Sequence, residues 1–194
     1  MTVLTARYDE ALALAAHLHR EQRRKGTSIP YLSHLLAVSS LVLEAGGDED
    51  QAIAGLLHDS LEDQSEQTSY ADLRDRFGPG VADVVRACSD TEVVPKPPWR
   101  QRKQAYLEHL ETADPQVLLV SRADKLHNAR AILTDLREQG QQLWTRFSAD
   151  RQDQLWYYRS LAEVFTRRLP TPQSQELART VEAIAQVAAA APAG

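Results

Sequence analysis

Residues 52–63 run Ala52-Ile53-Ala54-Gly55-Leu56-Leu57-His58-Asp59-Ser60-Leu61-Glu62-Asp63. Ile53, Leu56, Leu57 and Leu61 recur at the spacing of one helical face. Asp48 followed by Gln51 has the form of a capping box, so a helix is expected from Asp48 to about Asp63. Four polar residues, His58, Asp59, Glu62 and Asp63, interrupt it, and the i, i+3 and i+4 spacings place polar pairs on a shared face. His58 adjoins Leu57 in the core-forming part, where an unpaired ionised carboxylate would cost several kcal/mol and needs a cation or tight hydrogen bonds. A metal ion would meet that need. His-Asp is a common dipeptide, however, and a surface histidine flanked by acids fits this stretch as well as a metal site does.

Outward from this helix the helical period repeats in both directions. With 8 Gly and 9 Pro in 194 residues, breakers are sparse and no segment reads as a strand. A first helix is expected from about Thr5 to Arg23. A second follows Pro30, carries Leu35, Leu36, Val38, Leu41 and Val42, and stops at Gly46-Gly47. Ser69 and Asp72 open a short helix closed by Gly78-Pro79-Gly80, and Val81 to Cys88 forms another. Ser89 to Pro98, with three prolines, is expected to be a loop leading to a basic helix from Trp99 to Glu111. Asp114-Pro115 starts a long helix ending at Gly140. Ser148 is expected to cap the next, which ends near Pro170, and an alanine-rich helix from Thr171 to about Ala190 closes the chain. The expectation is therefore a compact all-α domain of about ten helices over residues 1–194, without a linker or internal repeat.

Composition narrows the function classes. At 43% hydrophobic and 25% charged residues, the chain is neither collagen-like nor disordered, and one cysteine, Cys88, rules out a disulfide scaffold. A net charge of -5 argues against a broad basic face for nucleic acid. No uncharged apolar run approaches the roughly 18 residues that cross a bilayer, and Met1 to Asp9 lacks a signal-peptide pattern, so a cytoplasmic location is expected. The alanine-rich last helix and the Trp99 loop, taken as exposed, hint at a homo-oligomer.

Two further polar residues sit beside core stripes: His34 in Pro30-Tyr31-Leu32-Ser33-His34, and Asp124 in Arg122-Ala123-Asp124-Lys125-Leu126-His127-Asn128. One His, a His-Asp pair and a distant Asp resemble the ligand set of HD-type metal-dependent phosphohydrolases. Arg24-Lys25, Pro30-Tyr31-x-x-His34, His58-Asp59-x-x-Glu62-Asp63, Phe77-Gly78 and Ala123-Asp124-Lys125-Leu126-x-Asn128 together resemble the hydrolase domain of the RelA/SpoT homologues, and most nearly their stand-alone members, the small alarmone hydrolases. The resemblance covers about Leu4 to Leu169, leaving a C-terminal helix at about 171–190.

That resemblance implies an all-helical fold with one divalent ion, usually Mn²⁺, on His34, His58, Asp59 and Asp124. Mixed imidazole and carboxylate ligation suits Mn²⁺ or Fe²⁺, with Zn²⁺ also open. It implies release of pyrophosphate from the ribose 3′ position of guanosine tetra- and pentaphosphate, with Glu62 and Asp63 as the catalytic pair that orients or deprotonates water and manages the leaving group's proton. Which of the two is acid and which base stays open. Arg24 is implied to lie against the purine and Lys25 to face a phosphate or the ribose, the alternative being a helix-end basic cluster favoured by the macrodipole. Asn128 and Tyr157 are implied nucleoside contacts, with an ordinary polar helix residue and aromatic core packing as their alternatives. Arg100, Arg102 and Lys103 read more readily as a solvated basic face than as 5′-phosphate contacts. His17, His19, His109 and His127 match no ligand position.

Leu35 and Gln64 depart from the family's usual Pro and Thr. Neither position supplies a ligand. Guanine and adenine 3′-diphosphates both stay open as substrates, as do another nucleotide or dinucleotide cofactor, and a catalytically silent nucleotide-binding module.

Overall fold

A computed structural model of the chain describes residues 2–89 and 95–190. Its helices are α1 (Ala6–Leu18), α2 (Leu32–Glu44), α3 (Glu49–Leu57), α4 (Ser60–Asp63), α5 (Tyr70–Phe77), α6 (Pro79–Cys88), α7 (Trp99–Thr112), α8 (Pro115–Gln139), α9 (Arg151–Arg168) and α10 (Pro172–Ala190). A 3₁₀ segment, Gly140–Arg146, follows α8. Among the described residues there is no strand, only an isolated bridge between Arg23 and Pro30. The all-α expectation holds. None of these helices is long and apolar enough to cross a membrane. Of the expected Ser89–Pro98 loop, residues 90–94 lie outside the described residues, and the part from Pro95 to Pro98 is non-helical.

Several helix ends follow from local chemistry. Asp48 and Gln51 form the full capping box of α3, and Ser69 and Asp72 that of α5, each cap side chain accepting from the backbone N–H three residues on. Gly46, at φ +82°, takes the left-handed conformation that closes α2. Other ends differ from expectation. The helix after the 3₁₀ segment is capped by Asp150, whose side chain accepts from Asp153 N–H, not by Ser148. The first helix stops at Leu18, because residues 22–31 fold back on themselves: Arg24 N–H donates to Ile29 O and Tyr31 N–H to Gln22 O, each at 2.9 Å. Arg24 and Lys25 therefore stand on a loop beyond the last turn of α1, outside the reach of its macrodipole.

The described residues group into two compact units, Met1–Lys96 with Asp114–Asp124, and Pro97–Ala113 with Lys125–Gly194. In the first, α3 packs against α1, α2 and α6, and Ala15, Leu35, Val38, Ile53, Leu56, Leu57, Leu73 and Val85 are fully enclosed. Gly55 sets the α2–α3 separation: a Cβ there would meet Ser39 Cα at 3.1 Å. In the second unit, α9 packs on α7 and α10 around Leu110, Leu161, Phe165 and Leu177. Trp99 is not an exposed loop residue. It heads α7, half-buried, edge-on to Trp156 and Tyr157 at centroid distances of 6.4 and 5.8 Å.

Candidate metal centre and catalytic pair

The helix expected to run unbroken from Asp48 to Asp63 breaks at its polar dipeptide. α3 ends at Leu57, Asp59 turns to ψ -1°, and α4 restarts at Ser60, whose hydroxyl donates to Leu57 O at 2.6 Å and satisfies a carbonyl freed by the break. In a continuous helix neighbouring side chains diverge by about 100°. Here the break brings His58 Nε2 within 3.0 Å of Asp59 Oδ2.

Two other helices deliver the remaining groups. His34, on the first turn of α2, places Nε2 3.2 Å from Asp124 Oδ1 and 3.7 Å from Asp59 Oδ2, and His58 Nε2 lies 3.7 Å from Asp124 Oδ1. The imidazoles meet edge-on at 5.2 Å. Ligand atoms of His34, His58 and Asp59 all lie within 4.8 Å of one another, and Asp124 reaches both imidazoles from α8. Both histidines and Asp124 are buried, whereas Asp59 keeps partial contact with solvent. All four residues belong to the first unit.

This donor set fits a divalent cation. His58 Nδ1 lies 2.9 Å from Gly55 O and donates to it, so the ring turns Nε2 toward the carboxylates. That nitrogen is buried without a hydrogen bond of good alignment. Burial pulls the His58 pKa down, but Asp59 and Asp124 outweigh it and hold it well above the usual imidazole range. Burial likewise opposes ionisation of Asp59, and His58 overrides it, leaving its pKa below the ordinary value. For His34 burial prevails over the pull of Asp124, and its pKa is lowered. A field that draws positive charge onto one imidazole is equally satisfied by a cation shared among all four groups.

The Glu62-Asp63 pair follows on α4. Glu62 Oε1 accepts from Lys96 Nζ at 2.8 Å, and Asp63 Oδ2 accepts from Gln22 Nε2 at 2.8 Å. Asp63 retains solvent contact, yet partial desolvation and the Asp59 charge push its pKa up to about 6. Such a carboxyl exchanges protons near neutrality, as acid–base work requires. Sequence reasoning passed over Lys96, Gln22 and Tyr31. Tyr31 donates its hydroxyl to Asp59 Oδ2 at 2.5 Å, and burial with the Asp59 charge raises its pKa far above the phenolic range. Its place in the Pro30-Tyr31-x-x-His34 motif was the one available signal.

Of the expected substrate contacts, Arg24 lies with its guanidinium 6.0 Å from the Tyr31 ring centre, and Lys25 is exposed on the same loop. Asn128 and Tyr157 belong to the second unit: Asn128 is half-buried on α8, and Tyr157 is buried among Trp99, Trp156 and Tyr158.

Residues 11–155 match the family model described as the HD domain. The guanosine-3′,5′-bis(diphosphate) 3′-pyrophosphohydrolase of Drosophila melanogaster is 34% identical over 160 residues, covering 81% of this chain and 83% of its own length. Its Xenopus tropicalis counterpart is 36% identical over 124 residues, 62% of this chain and 66% of its own length, just under two thirds. Among solved structures, a metazoan ortholog of SpoT that hydrolyses ppGpp superposes with a TM-score of 0.72 at 27% identity, over 96% of this chain and 97% of the other. A Listeria monocytogenes protein gives 0.69 at 30% identity, over 79% and 99%.

Proposed function

The chain belongs to the HD domain family, and on that premise we propose that it is a metal-dependent hydrolase that removes pyrophosphate from the ribose 3′ position of guanosine 3′,5′-bis(diphosphate). The observation that carries the proposal is the convergence of His34, His58, Asp59 and Asp124 from three parts of the chain on one enclosed point. The relatives named above support the substrate.

His34, His58, Asp59 and Asp124 would hold the ion, taken to be Mn²⁺ because two imidazoles and two carboxylates suit it. When bound, such an ion polarises phosphoryl oxygens and lowers the pKa of water. In the reaction, water oxygen bonds to the phosphorus attached to the 3′ oxygen, that P–O bond breaks, and the 3′ oxygen takes a proton. Glu62 and Asp63 divide the two proton transfers between them, and Tyr31 keeps Asp59 aimed by its hydrogen bond. Arg24 and Lys25 form a cationic rim that offsets the charge of two diphosphates in a chain of net charge -5.

The test is a substrate panel with defined metals: guanosine and adenosine 3′-diphosphate nucleotides, a deoxynucleoside triphosphate and a dinucleotide cofactor. Pyrophosphate release from the guanosine 3′-diphosphate, strongest with Mn²⁺, is expected. Glu62→Ala should keep its bound metal and lose about 10²–10⁴-fold in rate. A folded, metal-loaded chain that turns over no 3′-diphosphate nucleotide overturns the proposal.

A further inference from the structure

Behind the acidic pair runs a file of side-chain amides that all point one way. Gln67 Nε2 donates to Gln64 Oε1 at 2.7 Å, Gln64 Nε2 to Gln22 Oε1 at 2.8 Å, and Gln22 Nε2 to Asp63 Oδ2 at 2.8 Å. His19 Nδ1 also meets Gln22 Oε1, at 2.6 Å. An amide oxygen only accepts, so His19 must carry its proton on Nδ1, and burial keeps that ring neutral by lowering its pKa. Both lone pairs of Gln22 Oε1 are then engaged by donors. Turning the amide over would set its oxygen against the Asp63 carboxylate, which only accepts when ionised, and that contact fixes which end faces His19 and Gln64. The orientation of Gln22 is therefore forced by its neighbours.

The backbone fixes the same residue. Gln22 N–H donates to His19 O at 3.1 Å, and Gln22 O accepts from Tyr31 N–H at 2.9 Å. His19 stacks on Tyr31 at 5.4 Å and 22°, and Tyr31 in turn holds Asp59. One loop thus ties a residue of the catalytic pair to a residue of the metal cluster.

We propose that Gln22 is a positioning residue for hydrolysis, locked by His19 and Gln64 so that its N–H holds Asp63 Oδ2 and leaves proton handling to Oδ1. The inference rests on the hydrolytic function proposed above. Gln64 is part of the device, accepting from Gln67 and donating to Gln22. Asp63 is also faced by Asp59, Glu62, Tyr31 and Lys96. Of these four only Lys96 is cationic, and it is engaged by Glu62. Gln22 is the neutral donor that favours the charged form of Asp63.

Gln22→Ala tests this through pH. Removing a donor to the carboxylate raises the Asp63 pKa, so whichever limb of the kcat profile Asp63 sets should move upward by about one pH unit. KM and metal stoichiometry should stay as in the wild type. A ¹³C titration of the Asp63 carboxyl in the Zn²⁺-loaded chain should shift by the same amount, and Gln64→Ala should shift both readouts in the same direction by less. An unmoved titration and profile in folded Gln22→Ala overturn the proposal. If that variant fails to fold, unmoved readouts in Gln64→Ala overturn it. If the wild type turns over no 3′-diphosphate nucleotide, the functional reading falls, and the carboxyl titration alone decides whether Gln22 governs Asp63: a shift supports it and no shift defeats it.

Discussion

Each unit contains a cluster of rings meeting mostly edge-on, the Trp156–Tyr157 pair being tilted at 40°. In the first, Tyr31, His34 and His58 meet at 5.2–5.4 Å with Asp59 and Asp124 against them. In the second, Trp99, Trp156, Tyr157 and Tyr158 meet at 5.8–6.4 Å, with the Arg100 guanidinium over Trp156 at 3.2 Å and Lys103 Nζ over Tyr157 at 5.2 Å. The difference lies in how charge is accommodated. Arg100 rests on a π face, pairs with Asp153 and keeps half its side chain in water, so its charge is met by a partner and by solvent together. The charges around His58 are mostly enclosed, and their desolvation is offset by one another and by the Tyr31 hydroxyl on Asp59. An aromatic cluster of the second kind is stable as built, whereas a cluster of the first kind retains an electrostatic demand that a cation can meet.

Substitution should separate the two. Asp59→Ala removes a carboxylate from the first cluster, and it should abolish stoichiometric metal binding and hydrolysis while helical circular dichroism stays intact. Equilibrium dialysis and a pyrophosphate assay read the result, and retained metal would mean that Asp59 is not a ligand. Tyr157→Ala should do the reverse. Emptying a buried aromatic site costs about 3–5 kcal/mol, or roughly 6–20 °C in thermal midpoint for a chain of this size. Bound metal at the first cluster should be unaffected. A variant of unchanged midpoint would show that Tyr157 contributes little to packing, and would favour the nucleoside contact implied by resemblance.

How much of this could be read from the sequence depends on distance along the chain. The boxes at Asp48-Gln51 and Ser69-Asp72 span three residues and are encoded locally. The helical period around Ile53, Leu56 and Leu57 marks a buried face without tertiary information. The four candidate ligands stood out because each is a polar interruption of an apolar pattern. Gln22, Tyr31 and Lys96 interrupt nothing. They reach Asp63, Asp59 and Glu62 across 41, 28 and 34 residues, which only the folded chain brings together. The break after Leu57 was hidden for another reason: it depends on a serine hydroxyl taking up a backbone carbonyl, and serine is common both inside helices and at their ends. At α9 two cap residues competed within three positions, and Asp150 captured Asp153 N–H where Ser148 was expected to serve.

The smallest expected effect probes the separation that makes the first cluster. Gly55 faces Ser39 on α2, and an added methyl would lie 3.1 Å from Ser39 Cα and 3.3 Å from Ser39 N. Both are backbone atoms, so no rotamer change can relieve the contact. Ser39 is held further by its hydroxyl, which donates to Ala52 O and meets Tyr8 Oη, each at 2.9 Å. Gly55→Ala should therefore push α2 from α3 by a few tenths of an ångström. Alanine's better helix propensity returns up to about 1 kcal/mol, against about 1–3 kcal/mol of overpacking, for a net loss of roughly 1 kcal/mol. The sharper readout is the metal. His34 rides on α2, and Gly55 O is the acceptor that orients His58 Nδ1, so one methyl disturbs both imidazoles. Affinity in a Mn²⁺ titration should fall about tenfold, as when an outer hydrogen bond to a ligand is lost. Unchanged affinity with a lower midpoint would mean that the cluster tolerates helix displacement and is set by the turn at His58-Asp59 alone.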